Sequence, residues 1–396
     1  MEFINAALKA GISGGSMIRR MFEAGIELKK QYGEDQVCDF SLGNPDLPPP
    51  AAVKSALETI AAGAGKPFAI GYMPNAGYPA LRDKLAAQVS AEQQYDVPGS
   101  NLLLTCGAAG GINVLFHAIL DPGDEVIVPT PYFVEYDSYA ANHGGVLRRA
   151  PAKEVTFELD VDAFARAASP KTRAIILNSP NNPTGRIYGR DELQRLADLV
   201  AKLEKQYDRA IYVISDEPYR FLNFDNLELP SFFRIFRHAV VIGSFSKNLS
   251  LAGERLGYVA VSPKIAGAAD LMAALILCNR TLGFVNAPAL GQQILLAALG
   301  AEVDLEVYRA RRDAMIEVLD GAGLEYARPQ GAFYVFPKSP VADDRRFVDA
   351  LFAERILAVP GSGFGRAGYI RLAFCVDEAV IRRSAAGFRR AVEALK

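Results

Sequence analysis

The sequence predicts an α/β protein in which a mostly parallel sheet is covered by helices on both faces and joined to a smaller α+β lobe. Three observations carry that expectation. Short, continuous Val/Ile/Leu runs recur at 101–105, 125–128, 173–177, 211–214 and 240–242. Helical stretches at 51–62, 79–91, 109–120 and 190–206 fall between them, and runs apolar on both faces separated by helices are what a doubly covered parallel sheet requires. After Pro288 the texture changes to two helical segments, 288–299 and 302–320, followed by shorter mixed elements.

Taken in order, the chain offers an amphipathic helix over 17–32, the short run Val37-Cys38-Asp39-Phe40, and a loop, SLGNPDLPPP, whose three final prolines stop any helix. The alternating region then supplies five buried strands. Beyond 320 come a strand at 331–336, a helix near 345–354, a strand at 369–374 and a final helix from Asp377. The expected division is a large domain of residues 49–288, its sheet of the seven-stranded type, and a small domain built by both termini, 1–48 and 289–396.

Composition narrows the function. The 43 basic and 45 acidic residues nearly cancel to a formal charge of −2, so the chain has no global attraction for nucleic acid or a membrane surface. Its partners are expected to be small molecules. Cys38, Cys106, Cys278 and Cys375 form no Cys-x-x-Cys pair and read as buried reduced thiols. The start, MEFINAALKAGISGG, lacks a secretory pattern, and the apolar run 271–278 is too short to span a bilayer, so the expected location is the cytoplasm.

In parallel sheets ligands bind beyond the carboxyl ends of the strands. Each strand end here is chemically unusual. Leu104 is followed by a small-residue loop, Thr105 to Gly111, that opens a helix and leaves backbone N–H groups free for a phosphate. Leu177 is followed by NSPNNPTG, Ile214 by SDEPY, and Ile242 by GSFSKNLSLAGERLGY. Lys247 in the last stretch is a candidate amine nucleophile, and Arg255 with the serines can hold a phosphate. An anion cup beside a lysine, a carboxylate and a phenol suits pyridoxal 5'-phosphate: its aldehyde needs a lysine, its ring nitrogen a carboxylate, its phosphate donors that do not compete for protons.

The order NNPTG at 181–185, SDEPY at 215–219, SFSK at 244–247 and Arg255 before Leu-Gly-Tyr resembles the class I/II aminotransferases of the fold-type-I pyridoxal phosphate enzymes. The likeness extends to SLGNPD at 41–46, the segment from Tyr72 to Arg82, and Tyr369-Ile-Arg371, nearly the whole chain. It implies that Lys247 forms the Schiff base with the cofactor and later moves the substrate α-proton. By the same likeness Asp216 partners the ring nitrogen, and Tyr219 and Asn182 contact the ring hydroxyl, Asn182 also lying near substrate. Ser244, Ser246 and Arg255 make the phosphate cup with the backbone of Gly107, Ala108 and Ala109, and Tyr132 stacks on the ring face. Tyr72 reaches the phosphate of a neighbouring subunit, implying a homodimer, while Arg371 grips the substrate α-carboxylate with Gly43 beside it.

The implied reaction is a ping-pong transamination between an L-amino acid, aspartate or another common one, and a 2-oxo acid such as 2-oxoglutarate. Lys247 would need a lowered pKa to act as a base near neutral pH. Arg280 is a candidate second cation for an acidic substrate. A pyridoxal phosphate C–S lyase shares these residues and is the alternative reaction. A cofactor-binding regulatory module is disfavoured, because no basic DNA-binding domain precedes residue 17. Gly11-Ile-Ser13-Gly-Gly15 fits G-x-S-x-G but follows no strand. Ala109 and Ile112 break a dinucleotide-binding fingerprint, and His117, His143 and His238 lack metal-ligand spacing, so no metal is expected. Gly110 and Gly111, where bulkier residues are usual, point to a looser helix start.

Overall fold

The computed structural model describes residues 3–4 and 17–396, so the Gly11 to Gly15 stretch lies outside the described residues. A seven-stranded sheet organises the chain. It contains β2 (Leu102–Cys106), β3 (Glu125–Thr130), β4 (Val146–Pro151), β5 (Thr172–Asn178), β6 (Tyr212–Asp216), β7 (Ala239–Ser244) and β8 (Leu256–Val261), in the spatial order β2-β8-β7-β6-β5-β3-β4. Every neighbouring pair is parallel except those made by β8, which runs antiparallel to both β2 and β7. The mostly parallel α/β sheet expected from the sequence is therefore present.

Both faces are buried. Leu104, Ile127, Ile175, Val213 and Val241 point into one core with the helices Pro79–Gln93 and Arg190–Tyr207. Their strand neighbours Leu103, Val126, Ile176, Ile214 and Val240 point into the other, with the helices Gly107–Ile119 and Ala268–Thr281. Each such side chain, fully buried, contributes roughly 1.5–3 kcal/mol, which is why these runs show no polar alternation.

Two strands were not anticipated. β4 carries Arg148 and Arg149 and sits at the sheet edge with mostly exposed side chains, so its residues read as polar loop. β8 is buried throughout but follows β7 through the Arg255 turn with only a one-turn 3-10 helix, Ala252–Glu254, and no α-helix between them, which is what lets it run antiparallel.

The remaining strands are short. β1 (Cys38–Asp39) pairs parallel with β10 (Ile356–Leu357), and a three-stranded antiparallel sheet has the order β11 (Val359–Pro360), β12 (Ile370–Ala373), β9 (Tyr334–Val335). The strand expected at 331–336 is reduced to β9, because Ala332 takes a φ of 55° and Gly331 turns aside to bridge Asn223. The final helix divides at Ser384 into Glu378–Arg383 and Ala385–Glu393. A third core gathers Phe40, Tyr308, Phe333, Phe347, Phe374 and Phe388 around these pieces. The helix Ala289–Ala298 does not join it: Ile294, Leu295 and Ala298 pack with Val53, Leu81 and Leu85 in the core of the large sheet.

Candidate active site

The carboxyl ends of β5, β6 and β7 converge on a cavity of about 330 Å³, closed from the other side by the loop at Gly43 and by Tyr334 and Arg371. Lys247 reaches it from the turn just after β7, and its Nζ donates a 2.8 Å hydrogen bond to the Gly43 carbonyl. Burial, with Arg255 and Arg371 nearby, lowers the lysine pKa to about 8, although Cys375 works the other way.

Asp216 closes β6. Its Oδ2 accepts a 2.5 Å bond from Tyr136, while Oδ1 is buried with no partner. Burial lifts its pKa to about 7, against the lowering effect of the Tyr136 hydroxyl. A buried, unpartnered carboxylate oxygen is costly unless a donor meets it. The protonated ring nitrogen of pyridoxal phosphate is such a donor. Asn178, the last residue of β5, fixes this end: its Nδ2 donates to the Asp216 carbonyl at 2.9 Å and its Oδ1 accepts from the Asn182 N–H at 2.6 Å.

At the opposite end lies an anion cradle. Gly107, with a φ of 71°, starts the helix Gly107–Ile119, and a Cβ built on it would stand 2.7 Å from Arg255 Nη2. Gly257 lets β8 cross beneath this helix start, where a Cβ would stand 2.5 Å from the Gly107 carbonyl carbon and 2.7 Å from the Ala108 nitrogen. Ala108, Ala109, Ser244 and Ser246 line the cavity here with Arg255. Gly110 and Gly111 are buried; the latter's Cβ would meet Val259 Cγ2 at 3.0 Å, so close contact with β8 explains Gly111, while a Cβ on Gly110 would meet Cys106 Cβ at 3.3 Å. Free helical N–H groups, two hydroxyls and a guanidinium match a phosphate, so the residues present fit the whole cofactor.

Arg371 projects from β12, buried between Tyr334 and Phe364, each ring centroid 4.8 Å from its guanidinium carbon. Its Nη2 donates to the Ser41 carbonyl and its Nη1 to Asn182 Oδ1 at 3.3 Å, while Nε is unpartnered. Burial lowers its pKa, against the raising effect of the Tyr334 and Tyr219 phenols. Tyr219 and Tyr334 hydroxyls meet at 3.0 Å, and burial, reinforced by Tyr334, holds the Tyr219 pKa well above 10. Gly43 is obligatory: a Cβ there would lie 1.9 Å from the Tyr334 hydroxyl.

Most predicted residues thus meet; Tyr132 does not, while Tyr72, expected at a neighbouring subunit's phosphate, and Arg280 lie outside this chain's own cavity. Tyr132 is turned away from the cavity, its hydroxyl donating to Asp137 and accepting from Arg149 at 2.8 Å, while its ring packs on Gly365. Phe133, one residue on, lines the cavity instead, because the chain between β3 and the helix Glu135–Ala141 turns that ring inward. Tyr72 is 94% exposed and touches no part of this cavity. Arg280 is likewise exposed, on the helix Ala268–Thr281.

The sequence reading missed Tyr136, Asn178 and Tyr334. Asn178 ends an apolar run and was findable by the rule that located Asp216. Tyr136 sits in PTPYFVEY, but its contact with Asp216 spans 80 residues and leaves no local signal. Cys38, Cys278 and Cys375 are buried as expected, whereas Cys106 is half-buried. His117 and His143 touch at 3.2 Å, and no group of three or more potential metal ligands occurs among the described residues.

Comparison with known proteins gives a consistent picture. The profile described as aminotransferase class I and II matches residues 35–388. The aspartate/prephenate aminotransferase of Thermus thermophilus is 34% identical over 372 residues, covering 92% of this chain and 93% of that protein. The aspartate aminotransferase of Thermotoga maritima is 33% identical over 355 residues, covering 87% and 88%. Among solved structures, an amino transferase from Eubacterium rectale superposes with a TM-score of 0.95 at 34% identity, over 100% of this chain and 99% of that one. Thermus thermophilus aspartate aminotransferase with maleate gives 0.87 at 30% identity, over 99% and 100%.

Proposed function

The chain belongs to the class I and II aminotransferases and is a pyridoxal-phosphate-dependent transaminase; on that premise we propose which of its residues hold the cofactor, grip the substrate and move the proton. The observation that carries the assignment is the pairing, in one cavity, of a lysine with a lowered pKa and a buried carboxylate with an oxygen unpartnered. When bound, the cofactor supplies a carbonyl carbon that exchanges amino groups and a ring that draws off the electrons of the substrate α-C–H bond.

Lys247 Nζ takes the α-proton and later returns it. A pKa of about 8 leaves a usable unprotonated fraction near neutral pH, which a free lysine lacks. Asp216 Oδ1 holds the ring-nitrogen proton, and Tyr136 on Oδ2 keeps the carboxylate oriented. Tyr219 and Asn182 donate to the ring hydroxyl. Phe133, rather than Tyr132, covers the ring face. Ser244, Ser246, Arg255 and the N–H groups from Gly107 to Ala109 hold the phosphate. Arg371, already braced by Ser41 and Asn182, clamps the α-carboxylate beside Gly43.

The reaction is exchange of an amino group between an L-amino acid and a 2-oxo acid. The relatives' names make aspartate the reference donor. A homodimer in which Tyr72 completes the partner's phosphate site accounts for a tyrosine left 94% exposed. A cytoplasmic location suits four unpaired cysteines, and no helix among the described residues is long and apolar enough to cross a membrane.

The test is Lys247→Ala. Turnover is expected to fall by roughly a hundredfold to ten-thousandfold, and borohydride should no longer fix cofactor mass to the chain. Near-wild-type transamination in this variant would overturn the assignment. A C–S lyase would instead release pyruvate and ammonia from cysteine or cystathionine.

A further inference from the structure

We propose that His117 and His143 form a binding site for one late first-row divalent cation of the Zn²⁺ or Ni²⁺ class, an inference independent of the aminotransferase reading above. The two are 26 residues apart in sequence, so spacing along the chain does not show the pair. The fold brings them together outside the cofactor cavity, which neither lines. His117 lies in the last turn of the helix Gly107–Ile119, and His143 follows Asn142, the cap of the helix Glu135–Ala141. The carbonyl ends of both helices favour a cation here.

The two Nδ1 atoms stand 3.2 Å apart, and the ring centroids 5.0 Å apart with their planes at 61°. A cation about 2.1 Å from each nitrogen would see them at an angle of roughly 100°, between octahedral and tetrahedral coordination. A straight N–H···N bond would hold the centroids further apart, so the two nitrogens lean toward a common point. Asn113 decides which nitrogen of His143 is free. Its Nδ2 donates to the Ala109 carbonyl at 2.9 Å, which turns its Oδ1 toward the histidine. That oxygen lies 3.3 Å from His143 Nε2 and also accepts from Asn142 at 3.2 Å. As an acceptor it holds the proton of neutral His143 on Nε2 and leaves the Nδ1 lone pair facing His117. Such an outer hydrogen bond is the usual support of a ligating histidine. His117 is exposed, so water can complete the coordination. Two imidazoles select Zn²⁺, Ni²⁺ or Cu²⁺ over Mg²⁺ and Ca²⁺, which take oxygen ligands.

The experiment is equilibrium dialysis of the cofactor-loaded enzyme against nickel chloride at about pH 8, where both imidazoles are neutral. One equivalent per chain is expected. Two ligands supply about half the binding free energy of a four-ligand structural site, which sets a dissociation constant on the order of 1–200 µM. His117→Ala, at an exposed position, should weaken binding at least about tenfold, and so should Asn113→Ala with both histidines in place. His238→Ala should leave binding unchanged, and Mg²⁺ should not compete.

The ion binds only where the fold brings the two side chains together. About 1 mM Ni²⁺ should therefore raise the urea midpoint of the wild type and leave that of His117→Ala where it was. Transamination by His117→Ala should match the wild type, because neither histidine lines the cofactor cavity, and that activity verifies the variant's fold. No Ni²⁺ bound at about 1 mM, or equal binding by the wild type and His117→Ala, would overturn the proposal and leave the aminotransferase assignment standing.

Discussion

Lys247 and Asp216 both bear burial costs, with opposite pH signatures. A carboxylate raised to about 7 is neutral when buried without a partner, so Asp216 favours the folded chain more at low pH. Lys247 is lowered to about 8, so folding must strip a proton from it or bury its charge below that pH. The gap between its folded value and the free value of 10.5 corresponds to roughly 3 kcal/mol of lost stability, felt in full below pH 8 and fading as pH rises to 10.5. Lys247→Met keeps the shape, removes that cost and gives up one hydrogen bond to Gly43, worth about 1 kcal/mol. The cofactor-free variant should therefore be more stable than wild type by about 2 kcal/mol at pH 7, and by nearly nothing at pH 10. Urea unfolding at the two pH values decides it, and an equal difference at both would refute burial as the source of the shift.

Among elements, the decisive contact is the crossing of β8 beneath the start of the helix Gly107–Ile119. Gly257 has backbone on two sides, with the Gly243 carbonyl oxygen 2.8 Å from where its Cβ would be. Gly257→Ala must push the helix start away from β7 and β8, costing roughly 1–3 kcal/mol and opening the phosphate cradle. Affinity for pyridoxal 5'-phosphate should fall at least about tenfold while affinity for pyridoxal, which has no phosphate, stays nearly constant. Equal losses for both ligands would mean that the crossing does not shape the cradle. This level of structure was only partly legible in the sequence. Lys247 and Asp216 stood out because a charged residue beside an apolar run has no packing reason to be there, whereas Arg371 was named only through the family resemblance. Phe133 lines the cavity where Tyr132 was expected, because which of two adjacent aromatics turns inward depends on a bend between strand and helix. Tyr136 and Tyr334 act only through partners far away in sequence, and β4 hid behind two arginines that an edge strand can expose.

For the whole molecule, we read residues 49–298 as the cofactor-binding domain and the described residues 17–48 with 299–396 as the smaller one, ten residues beyond the boundary expected at 288. The packing of Ile294 and Leu295 into the core of the large sheet argues for a changeover after the helix Ala289–Ala298 rather than before it. A second copy is the simplest cover for Phe68, Ile70 and Tyr72, which are 93%, 57% and 94% exposed within one short segment. Isolated apolar residues on a surface need no explanation, but three so close together, one of them expected at a phosphate, do. If Tyr72 completes the partner's site, then Lys247→Ala and Tyr72→Ala fall in the same site when they are on different chains. A mixed dimer carries one site with both defects and one with neither. Co-refolding equal amounts of the two variants, each feeble alone, gives half mixed dimers by random pairing and should restore roughly a quarter of wild-type activity. If each chain instead used its own Tyr72, every site in the mixture would hold one defect. Activity would then remain the mean of the two parent variants, and the shared-site dimer would be excluded.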